Sequence, residues 1–242
     1  MSRIDAVVFD LDGTLVRYHG VEFESSWGAV AAAAGVSDRS RALLREYLPR
    51  KDAYPEWVGK DAALLADVPV STVADAVLPA PYASGVRGAI GALRGRYRLG
   101  ILSSGVDLVA DWVCRDLGLD FALANHLATE NGRFTGGSET RVDLWKKDEA
   151  MRRIAEEEGL AISRICFVGD HLNDVPVMRI VGLAIAANPK DERVREVADY
   201  VIEDFGALPG LIGGHARRLT RTPSLDPRSR RSGRRGDPES PP

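Results

Sequence analysis

Short apolar segments alternate along this chain with longer amphipathic segments, and this alternation constrains the fold more than any other feature. The apolar segments, rich in Val, Ile and Leu, occupy residues 4–9, 97–105, 164–170 and 182–187. Segments with helical periodicity occupy residues 84–96, 106–118, 146–159 and 191–198. Strands that alternate with helices at this spacing predict an α/β fold whose Rossmann-like core is a doubly wound parallel sheet.

Two further patterns modify this core. Residues 121–127 and 133–137, separated by a segment that contains Asn131-Gly132, predict a β-hairpin. Residues 17–83 contain helical segments and no strand pattern, and they interrupt the first crossover. Ligands of doubly wound sheets bind at the carboxyl ends of the strands. We therefore predict a core domain of residues 1–16 and 84–214, with residues 17–83 inserted as a small helical cap above those strand ends.

Charge is unevenly distributed along the chain. Residues 215–242 contain eight Arg and three acidic residues, a net charge of +5, whereas residues 1–214 carry −8. This segment is rich in Pro, Ser and Gly and poor in large apolar residues, so we predict a disordered basic tail. Two roles remain open for it, a solvated tail without a partner and an arm for nucleic acid or acidic surfaces.

Length and composition exclude several classes of protein. A chain of 242 residues with 45% hydrophobic residues can form a buried core without metal or disulfide support. Its two cysteines, Cys114 and Cys166, are too few for a disulfide-rich secreted scaffold. The sequence contains no apolar run long enough to cross a membrane and no signal-peptide pattern. We expect a cytoplasmic protein without a membrane partner.

Carboxylates follow two of the predicted strands. Asp10 and Asp12 come directly after the first strand, and Asp170 and Asp174 follow the strand at 164–170. Four carboxylates at one edge of a sheet repel each other unless a cation lies among them. Mg²⁺ suits such a set because it prefers oxygen ligands.

Groups suited to phosphate follow other strands. Ser103 and Ser104 end the strand at 97–105, where a hydroxyl and backbone N–H groups at the start of a helix suit a phosphoryl oxygen. Lys146 or Lys147 begins another helix and could neutralise a phosphate charge. A carboxylate nucleophile, Mg²⁺, Ser and Lys are together the components of phosphoryl transfer through an aspartate.

The motifs FDLDGTLV, LSSG, a following Lys and GDHLND resemble, in this order, the four motifs of the haloacid dehalogenase (HAD) superfamily. From about residue 84 to 212 the chain is similar to the phosphoserine phosphatases of that superfamily. The segments LGLDFALAN, NGRFTG, KKDEAMRRIAEEEGL and VGDHLNDVPVM carry this similarity. The tail lies outside the resemblance, and the cap matches only loosely.

The resemblance implies a role for each matching residue. Asp10 is implied as the nucleophile that forms an aspartyl-phosphate, and Asp12 as the acid for the leaving alcohol and then the base for water. Mg²⁺ is implied to be held by Asp10, the backbone carbonyl of Asp12 and Asp170, with Asp174 close to the metal. The implied phosphate-binding groups are the Ser103 hydroxyl, the backbone N–H groups of Ser104 and Gly105, Lys147 in preference to Lys146, and Asn173.

The implied function is a Mg²⁺-dependent phosphomonoesterase that acts on a small phosphorylated metabolite. Two alternatives remain open: a non-catalytic metabolite-binding module of the same fold, and a phosphotransferase or mutase. The sequence does not indicate an oligomeric state.

The chain departs from the phosphoserine phosphatase pattern at several positions. His171 and Ser104 stand where glycines are usual. His19, with Glu22 and Glu24 nearby, stands where an acidic residue for the substrate amine is expected, and Asp61 where an Arg for the substrate carboxylate is expected. Phosphoserine and a different small phosphomonoester are therefore both open as substrates.

The aromatic residues of the cap allow two interpretations. Trp27, Tyr54 and Trp57 could line a pocket, or they could form the core of a small helical domain. Trp112 and Trp145 are predicted to serve packing in the core domain.

Overall fold

The computed structural model describes residues 3–220, and the side chains of residues 3–215. A seven-stranded sheet with the strand order β4-β3-β2-β1-β5-β6-β7 forms its centre. All neighbouring pairs are parallel except β3 and β4, which are antiparallel. The strands are β1 (Ala6–Phe9), β2 (Arg98–Val106), β3 (Phe121–Glu130), β4 (Arg133–Glu139), β5 (Ile165–Gly169), β6 (Leu183–Ala187) and β7 (Tyr200–Ile202).

Both faces of the sheet are buried at its central strands β1, β5 and β6. Successive residues of β1 alternate between the faces: Val7 and Phe9 belong to one buried apolar cluster, and Ala6 and Val8 to the other. A strand buried on both faces needs apolar residues at every position, as the AVVF sequence of β1 provides. Helices on both faces supply the cover: α5 (Val86–Leu93), α6 (Asp107–Leu117), α7 (Lys147–Glu157), α8 (Val175–Met178), α9 (Glu192–Val197) and α10 (Leu208–Thr220). The predicted α/β doubly wound fold is confirmed.

The predicted hairpin is present as β3 and β4. Asn131 and Gly132 join the two strands with φ angles of 49° and 75°. Two consecutive positive φ angles are typical of the tight turns that match the twist of antiparallel strands, and Asn-Gly is the sequence that favours them. The hairpin also contacts the helical segment before β2, because Asp67 and Val70 donate backbone hydrogen bonds to carbonyls of Phe134 and Gly132.

The long connection from β1 to β2 is helical, as the sequence indicates. Its helices are α1 (Ser26–Ala33), α2 (Ser37–Tyr47), α3 (Tyr54–Ala63) and α4 (Val70–Val77), with single turns of 3-10 helix at Glu22–Glu24 and Lys51–Ala53. The two ends of this helical segment lie side by side, where Val16 and Tyr82 form an isolated antiparallel bridge. The assignment of residues 17–83 as a distinct cap domain stays a prediction.

The start of the predicted disordered tail was placed too early. Helix α10 runs from Leu208 to Thr220, so residues 215–220 are helical, and His215 is only 8% exposed. Leu208, Ile212 and His215 are spaced as one face of a helix and are all buried. When residues 215–242 are averaged together, the high content of Pro, Ser and Arg after residue 220 hides the helical pattern of the first few residues. Residues 221–242, with their predicted disorder and the nucleic-acid alternative, lie outside the described residues.

Within residues 3–220, we find no helix with the length and apolar character needed to cross a membrane.

Candidate active site

Asp10 stands at the centre of the sheet edge where the parallel strands end. It directly follows β1, which lies between β2 and β5. Its backbone N–H donates to the carbonyl of Val168 in β5 at 2.8 Å. Oδ1 of Asp10 accepts a hydrogen bond from the backbone N–H of Leu11 at 2.7 Å. The strand pairing and this local bond together fix the carboxylate at the edge.

The turn after Asp10 requires glycine. Gly13 has a φ of 80°, and a Cβ atom there would lie 2.5 Å from Oδ2 of Asp170. A positive φ and a close approach both exclude a larger residue. Gly13 thereby lets the loop after β1 lie directly against the loop after β5.

Three buried carboxylates meet beside this turn. Asp10, Asp170 and Asp174 each offer an oxygen within 4.8 Å of the others. Nζ of the fully buried Lys147, the first residue of α7, lies 2.8 Å from Oδ1 of Asp10 and 2.6 Å from Oδ1 of Asp174. The cluster therefore brings together residues that are up to 164 positions apart in the sequence, as the predicted convergence of strand ends requires.

Electrostatics in this cluster favour an added cation. Burial, reinforced by the charge of Asp174, raises the pKa of Asp10 well above its usual value. The same two causes raise the pKa of Asp170 to about 7, although the Thr14 hydroxyl donates to its Oδ1 at 2.8 Å. Burial alone would lower the pKa of Lys147, but Asp10 and Asp174 raise it, so the side chain is an ammonium.

Mg²⁺ fits this donor set. With all three carboxylates ionised, one ammonium leaves an excess of two negative charges in a buried position. A divalent cation removes that excess, and oxygen ligands are those that Mg²⁺ prefers. The residues present therefore suit a magnesium ion, with Asp10, Asp170 and Asp174 as the side chains that would hold it.

Asp12 is separate from this carboxylate cluster. Its Oδ1 accepts from the backbone N–H of Ser26 at 2.8 Å, and its Oδ2 accepts from the Ser26 hydroxyl at 2.7 Å. Burial raises the pKa of Asp12 to about 6, while the bonds from Ser26 oppose the shift. The carboxylate of Asp12 thus points to the helical connection. Its predicted contribution to the metal was through its backbone carbonyl, and that stays a prediction.

Ser26 is a site residue that the sequence analysis missed. It is fully buried at the start of α1, and its hydroxyl also accepts from the backbone N–H of Val106. One signal was available, because the Ser25-Ser26 pair precedes a helical segment where serine commonly caps. Ser25 performs that capping by accepting from the N–H of Gly28. Nothing local indicates that Ser26 reaches Asp12.

The end of β2 lies directly against Asp12 and Ser26. Ser103 is buried, and its hydroxyl accepts a hydrogen bond from the backbone N–H of Gly105 at 3.0 Å. A Cβ atom on Gly105 would lie 2.5 Å from Oδ2 of Asp12 and 2.4 Å from the hydroxyl of Ser26. Gly105 is therefore required for the close approach of β2 to Asp12.

Ser104 acts in the structure through its carbonyl. This oxygen accepts from the indole of Trp27 at 3.0 Å, the hydroxyl of Tyr54 at 2.9 Å and the amide of Asn125 at 2.8 Å. Three donors from α1, α3 and β3 thus meet on one backbone oxygen at the strand end. The predicted phosphate contacts of Ser103, Ser104 and Lys147 stay predictions.

The loop after β5 completes the edge. Asn173 and Asp174 are buried in a turn of 3-10 helix at Leu172–Asp174. Oδ2 of Asp174 accepts from the backbone N–H groups of Asp170 and His171, which positions the acidic cluster. The His171 ring packs edge-on against Phe23, with 5.9 Å between ring centroids, and burial lowers the pKa of His171. The loop after β5 thus places Asp170, His171 and Asn173 along the same cavity as Asp10.

A cavity of about 250 Å³ separates these strand ends from the helical connection. Trp27, Tyr54 and Trp57 line it, and they also pack, Trp27 against the apolar core and Trp57 against the Tyr54 ring, so both interpretations of these aromatic residues apply. Trp145 also lines the cavity, so its prediction as a packing residue was wrong. Trp145 lies two residues before the start of α7, and its side chain forms part of the cavity wall. The cavity lining also includes side chains that can titrate or form hydrogen bonds, among them Asp10, Asp12, Glu22, Asp61, Ser103, Asp170, His171 and Asn173.

Comparison with known proteins shows the family. A model of the haloacid dehalogenase-like hydrolases matches residues 7–179. A phosphoserine phosphatase of Methanocaldococcus jannaschii is 31% identical over 199 residues, which cover 81% of this chain and 91% of that protein. A phosphoserine phosphatase of Lactococcus lactis is 28% identical over 213 residues, covering 87% of this chain and 95% of that protein.

Solved structures agree with these relatives. A phospho-aspartyl intermediate analogue of phosphoserine phosphatase superimposes with a TM-score of 0.68 at 30% identity, covering 84% of this chain and 95% of that one. A substrate-bound phosphoserine phosphatase complex gives a TM-score of 0.69 at 28% identity, covering 87% and 98%. The predicted resemblance and the predicted enzyme class, a phosphatase-type hydrolase, are confirmed. The chain belongs to the haloacid dehalogenase-like hydrolase family.

Proposed function

We propose that this protein is a Mg²⁺-dependent phosphomonoesterase that hydrolyses a small phosphorylated metabolite through an aspartyl-phosphate at Asp10. The observation that carries the proposal is the placement of the Asp10 carboxylate. It lies between the buried Lys147 ammonium and the cavity, beside two further carboxylates that suit a metal. The names of the relatives, which are phosphoserine phosphatases, support the same reaction type.

In the first step Asp10 attacks the phosphorus atom. Leu11 and Lys147 both bond to Oδ1, so Oδ2 is the oxygen left to act as the nucleophile. The new Oδ2–P bond forms as the bond between phosphorus and the alcohol oxygen breaks. Lys147 holds the carboxylate in place throughout, because its ammonium is also tied to Asp174 at 2.6 Å.

Asp12 moves the proton. A pKa of about 6 leaves part of this carboxyl protonated near neutral pH, so that it can donate a proton to the leaving alcohol oxygen. As a carboxylate, Asp12 then accepts a proton from water, whose oxygen attacks phosphorus and breaks the Oδ2–P bond. Phosphate leaves, Asp10 is again a carboxylate and Asp12 is again protonated. Ser26 positions Asp12 for both transfers.

Mg²⁺ would be held by Asp10, Asp170 and Asp174, where it neutralises negative charge on the phosphoryl group. The Ser103 hydroxyl and Asn173, on the same cavity wall, would bind the phosphoryl oxygens. The helical connection covers this wall and reduces the access of bulk water, which otherwise screens these charges.

Release of inorganic phosphate from small phosphomonoesters tests the proposal. We expect turnover that requires Mg²⁺ and that falls roughly 10³- to 10⁶-fold in the Asp10→Asn variant, as for removal of other enzyme nucleophiles. Asp75→Asn, at an exposed position on α4, is the matched control and should retain activity. Equal turnover by Asp10→Asn and the wild-type protein would contradict the proposal.

A further inference from the structure

One face of α3 lines the same cavity as Asp10 and Asp170. Tyr54, Trp57, Val58 and Asp61 all line the cavity, and their spacing places them along a single stripe of the helix. The Tyr54 hydroxyl donates to the carbonyl of Ser104, which fixes the start of the stripe at the end of β2. Asp61 stands two helical turns further on, about 10 Å along the helix axis.

Asp61 is an acidic group without a complete set of partners. The residue is 8% exposed, and its buried Oδ1 accepts no hydrogen bond of normal geometry among the described residues, although the side chains of Ser40 and Trp57 lie close enough to oppose the rise in its pKa. Within the described residues, the indole N–H groups of Trp57, one turn before it, and of Trp145 likewise donate no hydrogen bond of normal geometry. Buried polar groups are nearly always hydrogen-bonded in folded proteins. An unpartnered carboxylate oxygen that lines a cavity therefore indicates a donor supplied by a ligand.

The charge around the cavity favours a cationic donor. Burial raises the pKa of Asp61 to about 6, so the group is largely a carboxylate at pH 8. The cations on the cavity lining are Arg41 and Lys190. Arg41 pairs with Glu22 at 3.3 Å and Asp38 at 3.2 Å, and Lys190 pairs with Glu24 at 2.9 Å. Both cations are half-exposed and already engaged, so neither compensates Asp61.

The remaining surface suits an apolar body. Besides the Ser40 hydroxyl near Asp61, the cavity lining contains aromatic and aliphatic side chains, among them Trp57, Trp145, Leu44, Leu48 and Val58. Aromatic faces attract ammonium groups as well as apolar chains. A ligand carboxylate at this end would be repelled by the negative charge of Asp61. Among the described residues that line the cavity, no cation without an existing ion pair is available to bind it.

We propose that Asp61 selects phosphomonoesters whose alcohol carries a protonated amine on an apolar chain and no carboxylate. The amine bonds to Asp61 and lies against Trp57, while the phosphoryl group lies at Asp10. This inference rests on the proposed function, because it concerns the alcohol part of the same substrate.

Matched pairs of esters test the selection at pH 8. Aminoethyl phosphate differs from phosphoserine by one carboxylate, and propyl phosphate replaces its amine by a methyl group. Aminobutyl and pentyl phosphate form a longer pair that allows for the distance to Asp61. For at least one chain length, we expect kcat/KM for the amine to exceed that for the neutral ester by about 10- to 100-fold. Phosphoserine should also be a poorer substrate than aminoethyl phosphate.

The Asp61→Asn variant should lose the preference for the amine, and Asp75→Asn should keep it. The inference is wrong if the neutral and amine esters react equally at both lengths, if phosphoserine exceeds aminoethyl phosphate, or if Asp61→Asn retains the preference. In each of these cases Asp10-dependent hydrolysis of the esters would leave the proposed function standing.

If no ester is hydrolysed, the proposed function is overturned. In that case a binding measurement still tests the selection by Asp61. Trp57 and Trp145 line the cavity, so quenching of tryptophan fluorescence reports occupancy. Aminobutyl phosphate should bind about 10-fold more tightly than pentyl phosphate, and Asp61→Asn should abolish the difference. Equal affinities for the two esters in the wild-type protein would overturn the selection by Asp61.

Discussion

At the scale of single residues, Lys147 determines how the acidic cluster is held together. Its ammonium is fully buried and bonds to both Asp10 and Asp174. Removing one partner of a buried ion pair leaves the other charges without compensation, which is more costly than the loss of an exposed pair. Lys147 therefore both orients the proposed nucleophile and stabilises the fold at this edge of the sheet.

Lys147→Met tests this dual role. Without Mg²⁺ we expect the free energy of unfolding to fall by about 3 kcal/mol, because three carboxylates lose their buried cation. Added Mg²⁺ should restore part of the loss, since it binds the same carboxylates. Urea unfolding with and without Mg²⁺ measures both effects. Lys146→Met, at the exposed neighbouring position, is the control, and an equal response of the two variants would contradict the account.

We expect Asp61 to lower the stability of the fold at neutral pH. Burial raises the pKa of its carboxyl to about 6 in the folded protein, against about 3.9 in unfolded chains. The folded state therefore binds more protons than the unfolded state between these values, and the contribution of Asp61 to stability decreases as pH rises through about 4 to 6.

Replacing Asp61 by Asn should thus stabilise the protein at pH 8. The pKa difference sets an upper limit of about 3 kcal/mol, and the gain should disappear near pH 3, about one unit below the unfolded pKa, where the carboxyl is protonated in both states. Denaturant unfolding of the variant and the wild-type protein at the two pH values gives the difference. A variant that is less stable at pH 8 would show that Asp61 has a stabilising partner within the fold.

At the scale of elements, Asn125 of β3 links three parts of the structure. Its amide N–H₂ donates to the Ser104 carbonyl at 2.8 Å and to the Tyr54 hydroxyl at 3.2 Å. Its Oδ1 accepts from the backbone N–H groups of Arg141 and Val142, both at 2.9 Å. One fully buried amide thus joins the end of β2, helix α3 and the chain that leads from β4 to α7.

Asn125→Leu should therefore be strongly destabilising. The variant keeps a side chain of similar size but leaves two backbone N–H groups without their acceptor, at about 1–3 kcal/mol for each buried group. We expect a loss of roughly 2–5 kcal/mol in urea unfolding. Asn125→Asp, which keeps the acceptor oxygen for Arg141 and Val142, should lose less. Equal losses in the two variants would show that these backbone bonds do not carry the effect.

At the scale of the whole molecule, much of the fold and part of the site were predictable from local sequence. Apolar runs such as that of β1 and the Asn131-Gly132 turn express short-range preferences, and strand ends in a parallel sheet meet by topology. Asp10, Asp170 and Asp174 follow from that rule. The bond from Ser26 to Asp12 and the donors that meet on the Ser104 carbonyl do not, because they depend on how the helical connection packs on the sheet.

The same limit explains the two errors. Trp145 was predicted to pack in the core because it precedes a core helix, but only the tertiary arrangement brings it to the cavity. The last turns of α10 were predicted to be disordered because the composition of the following residues dominated the average. In both cases a residue's surroundings, and not its neighbours in sequence, determine its role.

Trapping the phosphorylated enzyme tests the central claim most directly. The protein would be mixed with Mg²⁺ and an excess of a phosphomonoester that it hydrolyses, quenched in acid and digested for mass spectrometry. We predict one added phosphoryl group on the peptide that contains Asp10, and its absence in Asp10→Asn. Phosphate release from the wild-type protein with the phosphoryl group on another residue, or with an identical adduct in Asp10→Asn, would contradict the account.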